Sequence, residues 1–276
     1  MSQPDTYAVL WPRVRGWAMH TRASLVSPER EPSLVMVHGL GVSARYLLPT
    51  FDRLAPFYNV LAPELPGFGL SDRPPHALGV PELADVLAEW MDHMKLPRAA
   101  LLGNSLGCQV IVDLAVRYPE RVESLVLVAP TVDTRDHTMP RQLWRGFKDL
   151  LGEPWSLRAI IARDYLRTGT VRMYQTFRHA LDDRIDEKIS RVRARTLIVR
   201  GSRDPVAPRR WVEELAALAP HARVVEIEGG THATNYTRPE ALARVTARFL
   251  EGREVTDSPG AVRSGYQQKS SPRLMP

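Results

Sequence analysis

Gly103-Asn104-Ser105-Leu106-Gly107 sets a serine between two glycines. The apolar run 99–102 leads directly into it, and a helix-like run from 106 to 118 follows, ending at Pro119. A serine at so sharp a strand-to-helix turn is predicted to sit in a strained backbone conformation, its hydroxyl clear of the sheet. A Cβ at either flanking position would collide with the turn, which is why both are glycine. A plain small-residue turn has the same composition. Only the position between a strand and a helix marks the serine as a nucleophile.

Outward from this turn the chain alternates short apolar runs with amphipathic ones. Residues 33–37, 59–62, 124–128, 196–199 and 223–227 read as buried parallel strands, and 7–27 as an antiparallel edge hairpin. In 81–94, Leu83, Val86, Leu87, Trp90, Met91 and Met94 recur at helical spacing on one face. Residues 211–218 and 242–249 repeat that pattern. The alternation predicts an α/β fold, a mostly parallel sheet with helices on both faces. Ligands of such sheets bind beyond the carboxyl ends of the strands. Between 130 and about 193 the strand rhythm stops, and Trp144, Phe147, Trp155, Tyr165, Tyr174 and Phe177 lie among many arginines. Residues 252–276, rich in Ser, Pro, Gly and Gln, read as a disordered tail.

Composition narrows the classes of function. The 276 residues are 44% hydrophobic and 25% charged, ordinary for a globular chain with a substantial core. No apolar run approaches the roughly 18 residues of a membrane span, and residues 1–10 lack the pattern of a secretory signal. Cys108 is the single cysteine, so an intrachain disulfide is excluded and a reducing cytoplasm is expected. The net charge of +6 comes mostly from arginines scattered among acids, without the basic blocks of a nucleic-acid platform. His-Glu-x-x-His, Cys-x-x-Cys and phosphate-loop patterns are missing, so neither metal nor cofactor is expected.

Four further motifs follow strands: His38-Gly39-Leu40-Gly41, Leu65-Pro66-Gly67-Phe68-Gly69-Leu70-Ser71-Asp72, Gly201-Ser202-Arg203-Asp204-Pro205 and Gly229-Gly230-Thr231-His232. With the serine turn, in this order and spacing, the chain resembles the α/β-hydrolase family over about residues 10 to 250. The resemblance implies an eight-stranded-type sheet, with the hydrolase core in 1–130 and 194–251 and a helical cap inserted at 131–193. It also implies the chain order nucleophile, acid, histidine. Of the eight histidines, His221 and His232 follow both Ser105 and a plausible acid. His221 precedes the strand 223–227, at the wrong end of the sheet. His232 follows it, in a loop able to reach the serine, and is the expected base, a surface-loop histidine being the alternative.

Asp204 stands where the family carries its acid, although Asp-Pro is also a common turn former. Asp133 and Asp136 are the fallback. The oxyanion donors implied are the backbone amides of Leu40 and Leu106. His38 is expected to brace its loop, and Cys108 to be a small packing residue.

The expected activity is hydrolysis of carboxylic esters or lactones through an acyl-enzyme on Ser105. An aromatic, arginine-rich cap suggests a mid-sized, partly apolar small molecule, with Arg135, Arg141 and Arg145 as candidate carboxylate ligands beside Trp144. Asn104 before the serine resembles the carbon–carbon hydrolases of aromatic ring cleavage, the alternative, and is a candidate substrate contact. Those enzymes usually follow the histidine with tryptophan, where this chain has Ala233. Cofactor-free perhydrolases rank third. A ligand receptor with vestigial turnover is the reading from another class. Neither nucleic acid nor membrane is expected as a partner, and the oligomeric state is left open.

Overall fold

A computed structural model describes residues 7–25 and 32–255. The main sheet has eight strands, in the order β1-β4-β6-β5-β7-β8-β9-β10. In chain order these are β1 (Tyr7–Leu10), β4 (Thr21–Ser24), β5 (Leu34–Val37), β6 (Val60–Pro63), β7 (Ala99–Asn104), β8 (Val122–Val128), β9 (Arg195–Gly201) and β10 (Ala222–Ile227). Between β1 and β4 lies a small antiparallel ribbon of β2 (Arg13–Val14) and β3 (Trp17–Ala18). β1 pairs antiparallel with β4, and β4 with β6. From β6 to β10 every pairing is parallel. The predicted edge hairpin is thus present over 7–24, and the expected parallel run is present strand for strand. The predicted tail beyond 255 lies outside the described residues.

The two central strands show why continuous apolar runs decide the architecture. All four residues of β5 and all six of β7 are buried, because helices cover both faces. On one face α2 (Val80–His93) packs beside α3 (Leu106–Arg117). Pro81 opens α2 and Glu82 accepts from the Gly79 amide at 2.8 Å, so the first turn is preset and its donor satisfied. Its apolar face buries Leu83, Val86, Leu87, Trp90 and Met91, and the Trp90 indole donates to Thr21 Oγ1 at 3.0 Å. Met94 falls just past the helix end. The other helices are α1 (Leu48–Leu54), α8 (Arg209–Leu218), α9 (Thr234–Thr237) and α10 (Pro239–Leu250).

Between β8 and β9 the chain forms helices only: α4 (Met139–Gly152), α5 (Trp155–Thr168), α6 (Thr170–Asp182) and α7 (Ile185–Ile189), after a short 3-10 turn at Thr134–Asp136. Lys188 ties this insertion to α3 through Asp113 at 2.6 Å and also pairs with Asp183.

Two glycines permit the turn after β7. A Cβ on Gly103 would stand 2.6 Å from the Gly107 backbone, and one on Gly107 would strike the Val37 carbonyl oxygen. Gly107→Ala is therefore expected to destabilise by about 1–3 kcal/mol, a melting-temperature fall of several degrees. Gly146, inside α4, has open space around it. Gly146→Ala should raise stability by about 0.5–1 kcal/mol. Thermal melts of the two variants with opposite signs bear out this packing; similar shifts would contradict it.

Candidate active site

Ser105 occupies the turn at φ 56° and ψ −119°, a region that costs a non-glycine residue strain. The turn is pinned on both sides. Ser105 N–H donates to Val128 O at 3.0 Å, and Cys108 N–H donates back to Ser105 O at 2.9 Å. The Cys108 thiol is buried against the Gly103 carbonyl at 3.1 Å, and burial pushes its pKa up, so it is an inert packing group.

The loop after β5 runs directly against the serine. An added Cβ on Gly39 would lie 3.2 Å from Ser105 Cβ. His38 braces this loop: its Nδ1–H donates to Gly39 O at 2.8 Å and its Nε2 accepts from Leu65 N–H at 2.9 Å. Burial lowers its pKa, which keeps the ring neutral as that pattern requires. Tyr46, which sequence reasoning missed, is the second brace. Its hydroxyl accepts from Gly39 N–H at 2.8 Å and donates to Asn104 Oδ1 at 2.6 Å. No local signal marks a tyrosine on a 3-10 turn for such a task. Leu106 follows the serine at the start of α3, and Leu40 follows Gly39, whose backbone approaches the serine.

His232 and Asp204 come together from the loops after β10 and β9. Asp204 is buried; its Oδ1 accepts from the amides of Val206 at 2.7 Å and Ala207 at 3.0 Å. Its Oδ2 lies 3.0 Å from His232 Nδ1. The His232 peptide is fixed as well, its carbonyl accepting from Asn104 Nδ2 at 3.1 Å and its N–H donating to Asp149 Oδ1 at 3.1 Å. Burial disfavours the imidazolium, but the Asp204 charge and hydrogen bond, with the Asp149 and Glu153 charges, outweigh it. The His232 pKa is pushed up to about 9.

The helical insertion closes over these loops. Tyr165 and Met173 stand where a Cβ on Gly41 would be, Tyr165 Cε1 at 2.9 Å. Asp164 accepts from Ser43 N–H at 2.9 Å and from its hydroxyl at 2.6 Å.

Several sequence expectations change here. Asn104 is 2% exposed, and its amide is engaged by Tyr46, Val128 and His232. It braces the histidine loop instead of meeting substrate. Arg135 pairs with Glu214, Arg141 with Asp136 at 2.9 Å, and Arg145 with Asp133 at 3.1 Å and with Asp136. Each guanidinium already has its carboxylate within the protein, which removes the motive for a substrate carboxylate. Asp133, the fallback acid, is buried by Arg145 and by Arg210 at 2.6 Å. Trp144 is 57% exposed and stacks on Phe147.

Asp149 and Glu153 were not legible either, because their role depends on how α4 docks. Glu153 Oε1 accepts from Ala233 N–H at 3.4 Å, while its Oε2 is buried without a hydrogen-bond partner. Burial and the neighbouring Asp149 carboxylate push Glu153 from the ordinary 4.5 up to about 7, and burial raises Asp149 too. Among the described residues no group of three or more His, Cys, Asp or Glu is placed to hold a metal ion.

A family model described as "Alpha/beta hydrolase family" matches residues 34–245. The chain belongs to the alpha/beta hydrolase family. The relatives it matches differ in what they act on. The chain is 37% identical over 101 residues to "Abhydrolase domain-containing protein abhd-5.2" of Caenorhabditis elegans, a match covering 35% of this chain and 23% of that protein. It thus spans about a quarter of the length of that curated relative. It is 27% identical over 246 residues to a pimeloyl-[acyl-carrier protein] methyl ester esterase of Xanthomonas campestris, covering 79% of this chain and 95% of the esterase. Among solved structures, one of a membrane phospholipase A superposes with a TM-score of 0.79 at 25% identity, covering 90% of this chain and 86% of that one.

The buried Glu153 at the end of α4 has a measurable consequence. Folded, Glu153 keeps a proton up to about pH 7 that the unfolded chain releases near 4.5. His232 likewise keeps one up to about pH 9 against 6.5 unfolded. The folded state therefore binds more protons across this range, and stability falls as pH rises through it. Melting curves of Glu153→Gln should lose the decline between pH 4.5 and 7 and show a variant more stable than the parent at pH 8. Parallel curves would contradict this placement of Glu153.

Proposed function

We propose that this hydrolase cleaves carboxylic esters or lactones of mid-sized, partly apolar compounds by a Ser105-His232-Asp204 triad. The observation that carries the reading is the 3.0 Å pair of His232 Nδ1 and Asp204 Oδ2, in a loop that Asn104 ties to the turn holding Ser105 at positive φ. Asp204, with its Oδ1 held by two amides, fixes the ring orientation and tautomer that leave Nε2 free to take a proton. Ser105 Oγ attacks the carbonyl as His232 accepts its proton. The amides of Leu40 and Leu106 hold the oxyanion, each donor contributing roughly 3 kcal/mol. The imidazolium then protonates the leaving alkoxide, and water repeats the sequence on the acyl-enzyme.

Ester chemistry is favoured by the methyl ester esterase relative, whose match covers most of both chains. Met173 and Tyr165, packed against Gly41 in the loop beside the serine, would present an apolar surface to an acyl or alkyl group. The helices over the site act as a cap in this reading. Carbon–carbon hydrolysis is the second reading, and it loses its main residue-level support because Asn104 is an internal brace.

The test is turnover of p-nitrophenyl esters of graded chain length beside ring-opened diketo acids, with wild type and Ser105→Ala. Ester hydrolysis should dominate and fall on the order of 10⁴-fold or more in the variant. Faster turnover of the diketo acids would favour the second reading. Because the base must be neutral, kcat/KM should rise with pH and reach half its plateau near pH 9. Asp204→Asn should lower the plateau on the order of 10³–10⁴-fold. A rate independent of pH from 6 upward would contradict the raised pKa of His232 as the ionisation that controls the rate.

A further inference from the structure

Helix α4 is turned inside out. Its inward residues are polar: Gln142 is buried, Arg145 pairs with Asp133, and Asp149 holds the His232 amide. Its apolar residues face solvent instead, with Leu143, Trp144, Phe147 and Leu151 each at least half exposed. A helix that packs on a core ordinarily does the reverse. Helix α5 continues the pattern, with Trp155 80% and Leu166 84% exposed, two of an apolar row with Ala159 and Ala162 at helical spacing. Arg158 joins the two helices by donating to the Leu151 and Glu153 carbonyls. So much exposed aromatic and aliphatic surface on adjacent helices marks an interaction face.

The acids of this segment all face the core. The acids between 139 and 168 are Asp149, Glu153 and Asp164, and all three accept hydrogen bonds from backbone amides of the core. Lys148 and Arg163 are exposed, and Lys148 Nζ lies 5.2 Å from the Trp144 ring centroid. Exposed cations, one of them against an exposed tryptophan, with every acid of the segment turned inward, complement a surface that is apolar beneath and negative at its rim.

We propose that the α4–α5 face docks on an anionic lipid surface. The helices lie on it, with Trp155, Leu166 and the α4 apolar row in the acyl boundary and Lys148 and Arg163 at the headgroups. No helix among the described residues is long and apolar enough to cross a membrane, and none is required to. The proposal departs from the sequence expectation of no membrane partner, which rested on spans alone. It holds whether or not Ser105 is the nucleophile.

The full chain would be sedimented with vesicles of phosphatidylcholine alone and of phosphatidylcholine mixed with phosphatidylglycerol. Wild type should bind the mixed vesicles at least about ten-fold more tightly than the neutral ones, and less tightly as salt is added. Trp155→Ser/Leu166→Ser should weaken binding to mixed vesicles about ten-fold or more. Lys148→Glu/Arg163→Glu should remove the preference for the anionic lipid. All these side chains are exposed, so both variants should melt as wild type does. Wild type that stays in the supernatant with both vesicles overturns the proposal, as does binding untouched by either variant. A lipid-free dimer that Trp155→Ser/Leu166→Ser converts to monomer also overturns it, since the face would then join two copies of the chain.

Discussion

Backbone meets backbone at the end of β7 with no room for a side chain. The Gly103–Gly107 approach and the contact of Gly107 with Val37 O bring the start of α3 against β5, and the serine between them is left at positive φ. Every other part of the candidate site is arranged around this fixed point. Gly39 passes it with too little room for a side chain, Tyr46 ties that loop to Asn104, and Asn104 ties the strand end to the His232 carbonyl. Strain at one residue is thus held in place by its own backbone bonds to Val128 and Cys108 and by a chain of bonds through Gly39, Tyr46, Asn104 and His232, an arrangement typical of functional sites.

Electrostatically the site is lopsided. Asp204, Asp149 and Glu153 surround one imidazole, and the burial that would keep the ring neutral is outweighed by their charges. The same burial raises both α4 acids, so the insertion contacts the histidine loop through carboxyls that resist ionisation. Stability is given up here as pH rises, because the folded state must ionise an acid that burial and a neighbouring carboxylate disfavour. What is gained is a direct link from the insertion to the loop that carries the proposed base.

The sheet was legible because β5, most of β7 and residues 125–128 of β8 are continuous apolar runs buried on both faces. The serine turn was legible because its glycines have a steric cause. Strand ends moved by one or two residues, as at β7, which runs on to Asn104. What stayed hidden depends on docking. Arg135, Arg141 and Arg145 looked available to a ligand because the sequence does not reveal that Glu214, Asp133 and Asp136 face them. Asn104 sits beside the serine in sequence yet points into the protein. The inverted face of α4 contains an ordinary amphipathic pattern, and only the fold tells which side is out.

The account rests most directly on Ser105 as the nucleophile, and intact-mass spectrometry after treatment with a fluorophosphonate tests this without knowledge of the substrate. Wild type should gain a single covalent adduct on the peptide containing Ser105, and Ser105→Ala none. Labelling that persists in Ser105→Ala, or that falls on another residue, would contradict the account.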